Sequence, residues 1–530
     1  MPEDYFYATK NELTKKRIER KNMNSDIQLK NKRIAKNTLL LYIRTFFTLL
    51  INLYSSRVVL NALGVEDFGI YNVVGGVVGM FTLISGSMTT ATQRFIAFEL
   101  GKRNGDSNHV FSATLTIHIV IATIIILFGE SFGLWFINEK LVIAQERMNV
   151  ANWVYQFSLL TFVINVISIP YNGLIVAHER MDAFAFISIG EAILKLLCVL
   201  SLEYILMDSL FLYSFYMFAI AFIIRITYGI FCSRFFTDSK YHFFKKSPIY
   251  HQIISFTGWN FLGSTAGVLS NQGQNILINI FFGVIPNAAR AIASQVDNAL
   301  NQFVTNFTMA LNPQITKSYA MGDKEYTLKL VSQGGKLCFF LFLCGAAPIM
   351  FCASEILEMW LKQVPEYSVL FLRLSFVYIL LQTWSQTLYT IMLASGDIKL
   401  YQIIVGGTCL LSFPLTWFFF QLGYESEYSY YSLIIINSLC LMLRLVILQK
   451  KTGLIAWGYV KSVIFPCSIV SFCVYITSLS IIYLNTHWII SFILVLFSCL
   501  FFISLIGLSK TEHKFVLKYI RKKLVRNSLN

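Results

Sequence analysis

Arg44, Thr48, Asn52 and Ser55 interrupt an otherwise apolar stretch running from Asn37 to Gly64. At about 100° per residue the four lie within about 80° of one another, so on a helix they make one polar stripe. The chemistry of such a stripe is recognition: an arginine holds an anion through charge-assisted, often bidentate hydrogen bonds. An arginine at the centre of a membrane helix costs roughly 2.5 to 3.5 kcal/mol, so the stripe is expected to face protein or a water-filled cavity. Arg57 points elsewhere, about 20 Å further along at the helical rise. For both arginines, snorkelling to the headgroups stays open as the alternative.

A stronger stripe recurs later. Asn260, Ser264, Gly267, Asn271, Gln274 and Asn275 fall within about 100° of helix surface, behind Trp259. A lone Asn in a membrane helix commonly serves as helix-to-helix glue. Five polar groups on one face, matched by an equivalent helix, favour a cavity lining instead, because buried polar groups need partners or water. The two stripes are expected to face each other.

Other chemistry is scarce. Gly334-Gly335-Lys336 is followed by Leu337 and lacks a nucleotide-binding context, so direct ATP use is not expected. No Ser/His/Asp, Cys/His or metal-type constellation stands out, and neither catalysis, cofactor, metal nor nucleic acid is expected. Coupling to protons or sodium would need intramembrane carboxylates. Glu130, Glu191 and Asp297 are the candidates, with Glu203 near a membrane edge; each could equally be structural.

The elements that must position these groups follow from composition. Of 530 residues 56% are apolar, 15% aromatic and 13% charged, which excludes an ordinary soluble domain. The ten cysteines fall in or beside apolar segments without CxxC spacing and read as small core residues. Met1 to Lys36 has no apolar core and ten Lys or Arg, so it reads as a basic tail against anionic headgroups, not a signal peptide. The expected fold is an all-α polytopic membrane protein of about fourteen transmembrane helices, near 38–62, 68–91, 110–136, 150–175, 183–205, 210–232, 252–282, 288–312, 330–351, 368–393, 399–420, 428–448, 461–484 and 487–508. Basic loops alternate with base-poor ones, so the net charge of +15 is placed to put both termini in the cytoplasm and make the span count even. Twelve spans would satisfy the same parity.

An internal repeat organises the chain. An offset of 219 residues puts Gly64 and Val65 on Gly283 and Val284, and Asn52 on Asn271; at 221, Gln93 meets Gln314 and Gly101 meets Gly322. Two six-helix bundles in the same orientation are expected: a basic tail 1–36, a first bundle 37–235, a linker 236–250, a second bundle 251–450, and two extra helices with a basic tail over 451–530.

The segment from Ser56 to Tyr71 (SRVVLNALGVEDFGIY), Tyr171-Asn172-Gly173 with Ala177-His178-Glu179-Arg180-Met181, Ser255-Phe256-Thr257-Gly258-Trp259-Asn260, and Asn312-Pro313-Gln314-Ile315 together carry a family resemblance. Over about residues 37 to 450 the chain resembles the Wzx-type bacterial polysaccharide flippases of the MOP superfamily, which also contains MATE exporters and lipid II flippases. The resemblance implies two bundles set as a V, a central cationic cavity, and alternating access. It implies as cargo an oligosaccharide on undecaprenyl pyrophosphate, moved to the periplasmic leaflet of the bacterial inner membrane for O-antigen, capsule or exopolysaccharide assembly. Polymerase and chain-length machinery are candidate partners.

Such a headgroup needs cations, and amide and hydroxyl groups for its sugars. The candidates are Arg44, Arg57, Lys195, Arg225, Arg290 and Arg373, with Asn52, Ser55, Asn260, Asn271, Gln274 and Asn275. Glu191, four residues before Lys195, could simply neutralise it. His178-Glu179-Arg180 reads as a loop signature of the fold. The alternatives are a MATE-like exporter of cationic drugs, which should hold acids in its cavity, and a lipid II flippase. A membrane-embedded glycosyltransferase or polymerase would call for a long extramembrane loop.

Overall fold

A computed structural model describes residues 3–79, 81–140, 143–244, 247–361, 364–484, 487–509 and 512–513; the side chains of residues 3–31 and of Leu53, Ser56, Arg57, Leu60, Val65, Lys140, Glu203 and Val284 lie outside that description. The expectation for the Arg57 and Glu203 side chains and for most of the basic tails therefore falls outside it.

The described residues are helical with no strand, as a chain whose backbone polar groups must be satisfied within each span requires. The first half holds α1 (Glu3–Gly79), α2 (Thr82–Gly101), α3 (Ser107–Phe128), α4 (Leu134–Lys140), α5 (Gln145–Ala177), α6 (Met181–Ser201) and α7 (Ser209–Phe235). There follow α8 (Pro248–Phe282), α9 (Val284–Ala320), α10 (Lys324–Phe351), α11 (Ala353–Leu361) and α12 (Ser368–Ser395). The remainder is α13 (Lys399–Tyr401), α14 (Gly407–Leu410), α15 (Ser412–Gln421), α16 (Tyr428–Thr452), α17 (Ala456–Tyr459), α18 (Phe465–Tyr483) and α19 (Trp488–Phe502).

Among the described residues eleven helical segments are long and apolar enough to cross a membrane, or twelve if the bent pair Glu66–Gly79 and Thr82–Gly101, at 50° to each other, is one span. The expected count of fourteen is not reached by that measure. The difference lies in α8 and α9, helices of 35 and 37 residues, whose polar side chains exclude them.

Starts and stops follow local chemistry. The Asp106, Asp208 and Asp323 side chains accept hydrogen bonds from backbone N–H groups three residues on, satisfying donors that a first turn leaves open. Gly64 breaks α1 at φ 76° and Gly283 parts α8 from α9 at φ 78°. These are the two glycines that the 219-residue offset superposes, and only glycine takes that backbone without strain.

In the first half, α5 packs against α2, α3 and α7, and α1 against α6; later, α12 packs against α9, α10 and α16. The two sets meet where α2 lies on α8 and α9 and α1 on α9. Helices α18 and α19 pack on each other and on α10, with Gly507 against the Phe340 ring. One apolar core runs from Val58 to Leu212. A larger one takes in the later helices and reaches back to Phe95, Phe111 and Leu174, joined by the edge-on Phe95–Phe256 pair at 5.5 Å.

Candidate functional site

The stripe of α1 turns toward the later helices. Arg44, Thr48 and Asn52 line a groove of about 400 Å³ with Gln302 of α9, and Asn306 donates to the Thr45 hydroxyl at 2.6 Å. The Arg44 guanidinium lies 5.0 Å over the Phe184 ring, a contact that offsets part of its desolvation, and its Nε has no hydrogen-bond partner among the described residues. The Ser55 hydroxyl is likewise buried and unpartnered among them.

The remaining expected cations have separate neighbours. Lys195 pairs with Glu191 at 2.6 Å on one face of α6. Arg225 stacks on Tyr171 at 3.8 Å, and Arg373 donates to the Met350 carbonyl. Arg290 is buried over Tyr430 at 4.9 Å, with Nη1 unpartnered among the described residues. Of the carboxylates, buried Asp297 accepts from Ser375 at 2.9 Å, while exposed Glu130 accepts from Gln156 at 3.0 Å.

The two buried amides of the α8 stripe are bonded within the later helices and not to α1. Asn260 is buried, and its Oδ1 accepts from the Tyr389 hydroxyl at 2.5 Å and Gln402 Nε2 at 3.4 Å. Gln274 is buried and donates to the Ser412 carbonyl at 3.2 Å, beside a Ser270–Ser412 hydroxyl pair. Asn275 donates to Gln272, and Asn271 to the Gly267 carbonyl. The partners of the two buried amides come from α12 and the span 399–421: unexpected polar groups on these two elements draw the stripe inward.

Between them lies a cavity of about 500 Å³. Ser264, Gly267 and Asn271 of α8 line one side; Tyr378, Gln382, Ser385, Gln386 and Tyr389 of α12 another; Tyr401, Gln402 and Ser412 a third; Asn437 and Arg444 of α16 close it. The span 399–421 is irregular where it forms the wall, with a π-helical turn at Gln402–Gly406 and a break between α14 and α15. Such distortion at membrane depth is tolerated where backbone lines a cavity. Gly263 makes room for it: a Cβ there would sit 1.9 Å from Gln402 Oε1. The Tyr401 and Ser385 hydroxyls, Asn437 Nδ2 and Arg444 Nε are buried without a hydrogen-bond partner among the described residues, on side chains that line the cavity.

A smaller cavity of about 200 Å³ lies between α2, α9 and α12, lined by Thr90, Gln93, Arg94, Asn312 and Thr316. Gln386 and Tyr389 line both cavities. The chamber among the later helices thus adjoins the seam between the two helix sets.

That seam is pinned by side chains. Arg94 of α2 donates from Nε to the Leu393 carbonyl at 3.0 Å and from Nη2 to the Ala394 carbonyl at 2.9 Å, the open carbonyl end of α12, where a cation is favoured. Its guanidinium is flanked by Phe95, Phe98 and Phe256 at 4.5, 4.6 and 5.4 Å. Glu179, in the turn after α5, is buried at φ 60°. It accepts from Gln314 at 2.5 Å and Lys317 at 2.7 Å, both on α9, and its carbonyl accepts from Asn37. The loop signature seen in the sequence is a tie between the two sets. Next to it, His178 and Ser107 hydrogen-bond Asp238 at 3.0 and 2.6 Å. Burial alone would raise the Asp238 carboxyl, but the bonds from His178 and Ser107 hold it below the usual carboxylate range.

Sequence reasoning missed the α12 groups, Tyr401, Gln402, Asn437 and Arg444. The signal was there: Gln382, Ser385, Gln386 and Tyr389 recur at helical spacing, the pattern that singled out α8. Among the described residues no group of three or more His, Cys, Asp or Glu could hold a metal.

Residues 34–319 match the sequence pattern of one protein family, described as polysaccharide biosynthesis protein. No curated protein matches the chain significantly. Among solved structures, the chain is similar to a MATE protein in its bent conformation at TM-score 0.70 and 15% identity, covering 80% of this chain and 96% of that one. An outward-facing multidrug resistance MATE family transporter of the MOP superfamily gives 0.69 and 14% over the same shares. A MOP superfamily transporter from Pyrococcus furiosus gives 0.66 and 14%, again over 80% and 96%. At such identity these show a shared fold.

Proposed function

Because the chain belongs to the polysaccharide biosynthesis protein family, we propose that it is a flippase for undecaprenyl-pyrophosphate-linked oligosaccharide, carrying the headgroup from the cytoplasmic to the periplasmic leaflet by alternating access. The reading takes 37–235 and 251–450 as two six-helix bundles that rock about their seam, with 451–530 peripheral and both termini in the cytoplasm of a bacterium with an inner membrane.

The observation that carries it is the cavity of about 500 Å³, rich in amides, hydroxyls and tyrosine rings, without a carboxylate in its lining and sharing a wall with the seam. Amides and hydroxyls match sugar hydroxyls; aromatic faces match the apolar faces of pyranose rings. A cationic drug would want an acid there. Arg44, with Thr48 and Asn52 in the groove beside Gln302, supplies a cation for the diphosphate, while the lipid tail stays in the bilayer. The ties at Arg94 and Glu179 hold one arrangement of the seam and must part for the other.

The test is in the native host. Arg44→Ala and, separately, Gln386→Ala should lower surface polysaccharide and accumulate lipid-linked repeat units at unchanged membrane levels. Unchanged surface polymer in both variants defeats the reading.

A further inference from the structure

The cavity among α8, α12 and α16 holds one charged side chain, Arg444, in a lining otherwise made of neutral groups. Among the described residues Arg444 has no carboxylate within ion-pair distance and its buried Nε no hydrogen-bond partner. Its guanidinium lies 5.7 Å from the Tyr401 ring centre, which orients the fork while leaving its donors free. A half-buried cation in a lining without a carboxylate is completed by an anion that enters with the guest.

We infer that this cavity takes a monosaccharide or disaccharide unit bearing a single carboxylate, and that the carboxylate sits on Arg444. The inference rests on the reading of the chain as a transporter of lipid-linked saccharides and names the class of sugar it carries. Size supports it, since about 500 Å³ lies in the range of small-ligand sites, roughly 300 to 1,000 Å³. Charge balance separates a sugar acid from the diphosphate. A carboxylate and Arg444 neutralise each other, whereas a diphosphate brings more negative charge than one arginine can match, and the surplus would be buried among neutral groups. The amides of Asn271, Gln382 and Gln386, which are not buried, are spread around the cavity as ring hydroxyls would require.

The experiment uses the full chain in lipid nanodiscs, with methyl β-glucuronide, methyl β-glucoside and inorganic pyrophosphate as probes, binding read by ligand-observed NMR. The glucuronide should bind about 10- to 100-fold tighter than the glucoside, the range expected for a hydrogen bond to a charged group. Arg444→Gln should abolish that preference and Arg444→Lys keep part of it, with melting temperatures showing both variants folded. Equal binding of the two sugars, a preference that survives Arg444→Gln, no binding of the glucuronide, or its displacement by tighter-binding pyrophosphate each overturns the proposal. Flipping of a lipid-linked saccharide in proteoliposomes is scored in parallel. Flipping without acid preference sinks this inference alone; acid preference without flipping sinks the transport reading alone.

Discussion

The Glu179 carboxylate lies 2.7 Å from Lys317 Nζ although 138 residues separate them, so one ion pair joins the turn after α5 to the end of α9. Glu179 reaches it from a left-handed backbone, φ 60°, a conformation that costs about 1 to 3 kcal/mol in a residue other than glycine and persists where the surroundings enforce it. Lys317→Ala leaves the buried carboxylate with Gln314 and the more distant Arg33, at 3.7 Å. It is expected to lower stability by about 2 to 4 kcal/mol and to raise the reactivity of a cysteine introduced at Ser318. Glu179→Gln, which removes the buried charge, should cost less. Thermal melting and thiol labelling check both.

Arg94 bonds the two closing carbonyls of α12 at once, which the point charge of a lysine cannot do in the same geometry. Arg94→Lys is expected to lose about 1.5 to 3 kcal/mol of this contact and to slow flipping in proteoliposomes. Equal rates in variant and parent would show that the contact plays no part in the cycle.

Gly101 and Gly263 should respond differently to the same change. A Cβ at Gly101 would lie 2.5 Å from the Lys317 carbonyl oxygen, a backbone atom, whereas one at Gly263 meets the movable end of Gln402. Gly101→Ala is therefore expected to cost about 1 to 3 kcal/mol by overpacking. Gly263→Ala should leave the melting temperature close to the parent's while displacing Gln402 from Asn260 and weakening saccharide binding.

The Asp238 carboxyl is held below its ordinary value against the effect of burial. A depressed native value contributes stability that is present above the unfolded value, about 4 for an aspartate, and is lost as pH falls through the native one. Melting temperature should drop between about pH 4 and pH 2 in the parent by more than in Asp238→Asn. Identical acid limbs would remove Asp238 from that account.

How much was legible beforehand varied with the kind of signal. The helical membrane fold, and the two glycines at which helices break, could be read from apolar length and from a repeat, because both are local patterns. The seam was legible only as motifs: Gln93, Glu179 and Gln314 stood out, but that Glu179 meets Gln314 depends on how two distant turns pack. That α12 and the span 399–421 supply the partners of Asn260 and Gln274 was not legible, because a polar face shows that partners exist without showing which helix supplies them. The same test applied to α12 and α16 would have found the second wall of the cavity, since Gln386 and Asn437 are as much out of place in lipid as Asn271.

Gln386 and Tyr389 stand in a partition, each presenting surface to two chambers. An occupant that shifts either side chain in the inner room alters the shape of the outer one, where Arg94 keeps its grip on the end of the same helix. The wall of the inner room and the end that Arg94 holds therefore belong to one helix, so a change at either is a change in α12.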